Sequence, residues 1–141
     1  MIETYRGLVY PWNCDHMNHM NVQFYVAKFD EATWQLFAYL GITTPYMKSN
    51  NRGMVALEQN IKYKRELISG DAIFIKSKII QIEEKKIRFI HEMYNMDKNE
   101  IAAETELLGM HIDTSIRKSC KFPEDVFQKA KSFIEDELPT K

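Results

Sequence analysis

A helical pattern of apolar residues occupies residues 22–40. Apolar side chains recur there at steps of three and four, as in an amphipathic helix: Val22, Tyr25, Val26, Phe29, Ala32, Leu36 and Leu40. Gly41 follows directly and is a typical C-terminal stop. Further large apolar side chains lie outside this stripe: Phe24, Trp34, Phe37 and Tyr39. We therefore expect protein to cover this helix on more than one side.

Strand patterns lie on both sides of the helix. A short strand is predicted at residues 4–9, ended by Tyr10 and Pro11. After the turn-rich "NNRG" segment, four longer strands are predicted at residues 54–64, 71–83, 86–95 and 100–112. The segments between these four are short, as in hairpins, so the sheet should be largely antiparallel.

The order of elements predicts the fold class. A last, short helix should begin near Pro123, with Glu124 and Asp125 in its first turn. One long helix and one antiparallel sheet must cover each other, which gives an α+β domain of residues 1–141 with the sheet curled around the helix. Such a sheet leaves an edge uncovered, so we expect pairing with a second copy of the chain.

The composition limits the kinds of partner that we expect the protein to bind. The 141 residues are 45% hydrophobic and carry a net charge of −1, which argues against a nucleic-acid partner. No apolar run approaches the ~20 residues of a membrane span, and the N-terminus has no leader pattern. Cys14 and Cys120 show no metal or redox spacing. We expect free thiols and a cytoplasmic location.

Candidate chemistry is concentrated just before the long helix. Residues 15–21 contain one Asp, two His and two Asn. Asn21 is a good N-cap, and free N–H groups at a helix start favour a developing negative charge. Asp15 lies seven residues before Val22, on a loop that must approach the helix start. A carboxylate beside such an oxyanion site suits acyl transfer: the N–H polarises a carbonyl, and the carboxylate attacks it or activates water.

Structural and metal-binding interpretations compete with this one. Asp15 could merely cap a turn, and His16 and His19 could be partly buried imidazoles without a chemical role. Cys14 could be a nucleophile, although a structural thiol fits better. A metal site would draw on ligand-type side chains: Asp15, His16, His19, His91 and His111. No recognised ligand spacing is present, so we expect neither a metal nor a cofactor. The residues alone indicate that something anionic or carbonyl-like binds at this helix start.

The segment "DHMNHMNVQFYVAKFDEATW" resembles hotdog-fold acyl-CoA thioesterases of the 4-hydroxybenzoyl-CoA thioesterase-like family, in which an Asp-x-x-Gly-His-x-Asn pattern precedes the central helix. "NIKYKRELISGDAIFIKSKI" resembles that family's second strand, turn and third strand, with Tyr63, Gly70 and Asp71 at the typical positions. "ETELLGMHIDTSIRKSCKFPEDV" resembles its last strand and exit. Asn18 replaces the usual Gly, and Asn tolerates the left-handed conformation better than most residues.

The resemblance implies catalytic roles for four residues. Asp15 matches the family's catalytic carboxylate, which acts on the thioester carbonyl as nucleophile or as general base for water. Val22 matches the helix-start position whose backbone N–H holds the thioester oxygen. His19 and Asn21 match the His-x-Asn element, which shapes the loop or touches the acyl group.

Further residues are candidates for substrate binding: Asn18, Tyr25, Glu58, Lys62, Lys64 and Arg65. The three cations could meet the phosphates of CoA near the protomer boundary, or they could be a solvated strand end. Glu58 could equally pair with a Lys on the sheet face, and Tyr25 could be core. Aromatic side chains of the helix could line an acyl site or pack in the core: Phe24, Phe29 and Trp34.

The predicted function is hydrolysis of a small or medium acyl-CoA to free acid and CoA by a homodimer or homotetramer. One alternative is a hotdog hydratase or dehydratase, which would need His19 paired with an acid such as Asp15. The other is a non-catalytic acyl-CoA-binding module. The sequence leaves the acyl group open among aromatic, aliphatic and charged small acids, including carnitine- or betaine-like groups.

Overall fold

The computed structural model describes residues 1–136. The strands are β1 (Ile2–Leu8), β2 (Arg52–Tyr63), β3 (Ala72–Ile82), β4 (Lys86–Asn95), β5 (Glu100–Asp113) and β6 (Lys118–Ser119). The α-helices are α1 (Val22–Leu40), α2 (Thr44–Asn50) and α3 (Glu124–Asp136), and a 3₁₀ turn covers Pro11–Asn13. The predicted domain of residues 1–141 thus includes five residues, 137–141, that lie outside the described part.

All strands join one antiparallel sheet. Its order is β1-β3-β4-β5-β2, and β6 pairs with the end of β5. Strand β2 therefore forms one edge of the sheet. The curled sheet around α1 confirms the predicted α+β hotdog class. No helix in the described residues is long and apolar enough to cross a membrane.

Helix α1 has the predicted bounds because both of its ends are coded locally. The Asn21 side chain caps the start by accepting from Gln23 N–H, and Gly41 ends the helix with φ 101°, a left-handed conformation that suits glycine. The side of α1 that carries Phe29, Ala32 and Leu36 is buried against the sheet. The other part of the predicted stripe differs: Val22 and Val26 are exposed in the single chain.

One α-helix and one strand were absent from the prediction, as was the 3₁₀ turn. Helix α2 has only seven residues; the Thr43 side chain accepts from Tyr46 N–H, Pro45 lies in the first turn, and Asn51 ends the helix in a left-handed conformation. Strand β6 consists of two residues whose extended form depends on pairing with Ile112 and Asp113 of β5. Neither element has an apolar period long enough to be recognised from sequence.

A chain of hydrogen bonds crosses the core beside α1. The Thr33 hydroxyl donates to Phe29 O (3.0 Å), so it must accept from His91 Nε2–H (2.8 Å). His91 Nδ1 then accepts from the Ser77 hydroxyl, which in turn accepts from Thr4 (2.7 Å). This chain joins α1 to β4, β3 and β1. Burial lowers the pKa of His91 to about 3, so its imidazole is neutral in the folded protein at ordinary pH.

Candidate active site

The segment before α1 folds back on itself as a tight loop. Asp15 N–H donates to His19 O (3.0 Å) and Asn18 N–H donates to Asp15 O (2.9 Å), while Cys14 and Met20 form an antiparallel bridge. Asn18 has φ 63°, the left-handed conformation that its position was predicted to require. The loop geometry therefore accepts Asn where the resembling family usually has Gly.

The Asp15 carboxylate faces the start of α1. Its Oδ1 accepts from Met17 N–H (2.9 Å), which is the turn-capping contact expected of an isolated Asp. Its Oδ2 accepts from the Asn21 side-chain amide (3.1 Å). The Asn21 amide first, and the Met17 N–H second, hold the pKa of the Asp15 carboxyl below its ordinary value. The carboxylate is thus ionised at neutral pH and lies one hydrogen bond from the N-cap residue.

One backbone donor remains free at the helix start. Asn21 satisfies two of the first N–H groups: its side chain accepts from Gln23 (3.1 Å) and its carbonyl from Phe24 (3.0 Å). The hydrogen bonds of the described residues include none from Val22 N–H, and Val22 is 56% exposed. The positive end of the helix dipole lies at the same place and strengthens the attraction of this N–H for negative charge. A carbonyl oxygen beside Asp15 would therefore accept a hydrogen bond there.

An open cavity of about 270 Å³ adjoins the helix start. Its lining includes five of the predicted site residues: His19, Val22, Tyr25, Lys64 and Arg65. The rest of the lining is Met20, Tyr63 and Glu66. Tyr25 is buried, and burial raises the pKa of its hydroxyl to about 12. His19 Nε2 lies 3.0 Å from the Glu66 carboxylate. His19 thus pairs with Glu66, and not with Asp15 as the hydratase alternative proposed.

The predicted cations and Glu58 divide between two regions. Lys64 and Arg65 lie at the cavity and also pair with Glu104 (3.2 Å) and Glu100 (3.4 Å). Lys62 lines a different cavity, together with acidic residues of β4 and β5. Glu58 lies 3.9 Å from Arg88 on the sheet face, so its ionic neighbour is an Arg and not the Lys named in the structural interpretation.

The geometry gives little support to a cysteine nucleophile or to a metal site. In the described part of the chain, no three His, Cys, Asp or Glu side chains are grouped so that they could hold a metal ion. Cys14 and Cys120 are free thiols, and Cys14 Sγ lies 3.8 Å from Tyr10 O. His91 and His111 are both buried in separate hydrogen-bond networks, away from the loop.

Sequence reasoning missed a second cavity, which we call the α1 groove. Its volume is about 380 Å³, and it lies between α1 and strands β2, β4 and β5. Its α1 side is Gln23, Val26, Ala27, Asp30, Thr33, Trp34 and Phe37, and its sheet side is Met54, Val55, Ala56, Gln59, Phe89, Leu107, Leu108 and Gly109. The available signal was Asp30, a carboxylate four residues from both Val26 and Trp34 on the helix.

An antiparallel sheet curled around one long helix is the architecture of hotdog-fold proteins. A protein from Staphylococcus aureus, solved in complex with CoA, has this fold: its TM-score to the chain is 0.87 at 23% identity, over 99% of this chain and 89% of that one. The sequence model of the Thioesterase-like superfamily matches residues 9–130. The chain belongs to that superfamily.

Two curated relatives are betainyl-CoA thioesterases according to their names. A betainyl-CoA thioesterase of Pseudomonas aeruginosa is 21% identical over 96% of this chain and 85% of its own length. An L-carnitine dehydrogenase/betainyl-CoA thioesterase of a Rhizobium species is 24% identical over 86% of this chain. The chain spans only 24% of the length of that Rhizobium protein.

Proposed function

We propose that the protein hydrolyses a small or medium acyl-CoA to the free acid and CoA. The observation that carries the proposal is the Asp15 carboxylate, which accepts a hydrogen bond from Asn21 while Asn21 caps the helix whose Val22 N–H is free. Membership of the Thioesterase-like superfamily and the likeness to a CoA-bound structure support the same reaction.

The reaction needs few groups because a thiolate is a good leaving group. The thioester oxygen accepts from Val22 N–H, which stabilises the negative charge that develops on it. Asp15 either attacks the carbonyl carbon, giving an anhydride that water hydrolyses, or removes a proton from water that attacks this carbon. In both routes the C–S bond breaks, CoA leaves as a thiolate that takes up a proton, and the acyl group leaves as the acid. Asn21 holds Asp15 in its ionised form, and His19 keeps the loop in place through Glu66.

The CoA chain enters, in this proposal, through the cavity beside the helix start. Lys64 and Arg65 line that cavity and keep exposed side chains, so their cationic ends are available to phosphates. Lys62 is exposed near the end of β2, two residues before Lys64. The acyl group then extends along α1. Betainyl-CoA, the substrate in the names of the curated relatives, is the first acyl-CoA to test.

The decisive variant is Asp15→Asn, which keeps the shape of the side chain and removes its charge. We expect kcat for release of free thiol from acyl-CoA to fall about 10²–10⁴-fold, the usual size of a lost acid–base group. Release is followed with a thiol-reactive dye, which a hydratase reaction would leave unchanged.

The matched control for this variant is His16→Gln. His16 lies on the same loop and is exposed, so we expect near-normal turnover. Unchanged turnover in Asp15→Asn would show that the carboxylate has no part in the reaction. Binding of acyl-CoA without thiol release by the wild-type protein would favour a binding module instead.

We further propose that the protein works as a homo-oligomer in the cytoplasm. Strand β2 is a sheet edge with a run of five exposed residues, 56–60, and exposed apolar side chains of α1 lie on the same side as the α1 groove. A second copy pairing along β2 would extend the sheet and cover that edge. Two free thiols are consistent with a reducing compartment.

A further inference from the structure

The near end of the α1 groove lies one residue along α1 from the proposed oxyanion donor. Gln23, the residue after Val22, lines its near end, and Phe37 lines its far end. With a rise of ~1.5 Å per residue, the helix wall of the groove is about 20 Å long. An acyl group whose carbonyl lies at Val22 N–H therefore has an adjoining groove into which it can extend.

Aromatic rings form one part of the groove wall. Trp34 stands edge-to-face with Phe37 (centroids 5.7 Å apart), and Phe37 stands edge-to-face with Phe89 (5.4 Å). All three rings line the groove, and Trp34 is 40% exposed. The faces of aromatic rings carry partial negative charge and attract cations, quaternary ammonium groups in particular.

Asp30 gives the groove its only formal charge. Among the described residues that line it, no other has a titratable side chain. The Asp30 carboxylate makes no hydrogen bond or ion pair with any described residue. The nearest cation on the same helix, Lys28, is buried on another face and donates to Tyr5 Oη (3.0 Å) and Leu8 O (3.3 Å). The groove thus offers one unpaired negative charge among mostly apolar and aromatic side chains.

We propose that the α1 groove selects acyl groups that carry a positive charge, such as an ammonium or trimethylammonium group, through Asp30 and Trp34. The inference rests on the proposed function for the position of the thioester and adds the chemical class of the acyl group. Asp30 and Trp34 are four residues apart and share a helix face, so one cation can contact both. An acyl group with a carboxylate would meet repulsion from Asp30 instead.

The position of Asp30 sets where the cation must lie. Asp30 follows Val22 by eight residues, about 12 Å along the axis, and helical side chains lean toward the N-terminus. The cation therefore belongs at the distal end of the acyl group, separated from the carbonyl by methylene groups.

Two matched pairs of acyl-CoAs test the proposal. Each pair has a cationic member and its neutral carbon isostere: betainyl-CoA with 3,3-dimethylbutyryl-CoA, and 6-trimethylammoniohexanoyl-CoA with 7,7-dimethyloctanoyl-CoA. Binding is measured by calorimetry on the Asp15→Asn protein, which keeps the substrate intact. We expect 6-trimethylammoniohexanoyl-CoA, whose cation lies at the distal end of a longer chain, to bind about tenfold more tightly than its isostere, and Asp30→Asn to remove that preference. The betainyl pair, whose cation is one methylene from the carbonyl, should show a smaller preference.

The control variant is Glu31→Gln, which neutralises the neighbouring carboxylate of α1 outside the groove and should leave the preference unchanged. Equal binding of the cationic and neutral members of the longer pair would overturn the proposal, as would a preference that persists in Asp30→Asn. Because binding is measured without turnover, these results stand apart from the hydrolase proposal, which fails only if the wild-type protein releases no thiol.

Discussion

At the scale of single residues, the candidate site is a local structure. Asp15, Asn18 and Asn21 were predicted because their roles depend on near neighbours: a turn, a left-handed position and a helix cap. Glu58 and Lys62 were harder to place because their surroundings depend on the other strands of the sheet. Asp30 was overlooked for the same reason, since the groove around it combines four elements.

Asn21 should influence the pH at which Asp15 loses its charge. The variant Asn21→Ser keeps an N-cap oxygen but removes the amide that donates to Asp15, which is the larger cause of its lowered pKa. We expect that pKa to rise toward its ordinary value. Turnover depends on the ionised form and is lost as pH falls through this pKa, so the acid limb of kcat/KM should move to higher pH.

The measurement is a pH–rate profile of wild type and Asn21→Ser, with melting temperature as a check that α1 is still capped. An acid limb at the same pH in both proteins would mean that the Asn21 amide does not control the charge of Asp15.

At the scale of elements, the sequence predicted those helices and strands that have a long apolar period. Helix α1 and strand β4 have the predicted bounds, and the other long strands differ by one or two residues at their ends. The first strand covers Ile2–Leu8, where residues 4–9 were predicted. Helix α2 and strand β6 were missed because they are too short to show an apolar period, and the buried hydrogen-bond chain because it joins residues that are distant in sequence.

The buried chain makes the fold sensitive to acid through His91. With a pKa of about 3 in the folded protein and about 6.5 in the unfolded chain, His91 takes up a proton only on unfolding at intermediate pH. Its contribution to stability is complete above pH ~6.5 and is lost progressively as pH falls toward ~3. Between pH 7 and pH 5 we expect the free energy of unfolding to decrease by about 2 kcal/mol through this residue.

Urea unfolding of wild type and His91→Gln at the two pH values measures this effect. Glutamine cannot take up the proton, so the variant should be less stable at pH 7 but lose less on acidification. Equal losses in both proteins would show that His91 does not carry the acid sensitivity.

At the scale of the whole molecule, the exposed edge of β2 should govern assembly. Leu57 is an apolar residue of β2 that is 44% exposed, and a Lys on an edge strand opposes strand pairing. We expect Leu57→Lys to halve the mass measured by light scattering if copies pair along β2. Ile116→Lys, which alters an exposed apolar residue in the turn before β6, is the control and should leave the mass unchanged. A Leu57→Lys protein of wild-type mass would exclude β2 as the interface.

The separation between the loop and the groove has an evolutionary consequence. The residues proposed to react lie within eight consecutive positions, 15–22, whereas the groove wall comes from one helix and three strands. Substitutions in the wall can therefore change which acyl group fits and leave the hydrolytic apparatus intact. Proteins descended from such a chain are expected to diverge in acyl-group specificity long before they diverge in the reaction that they catalyse.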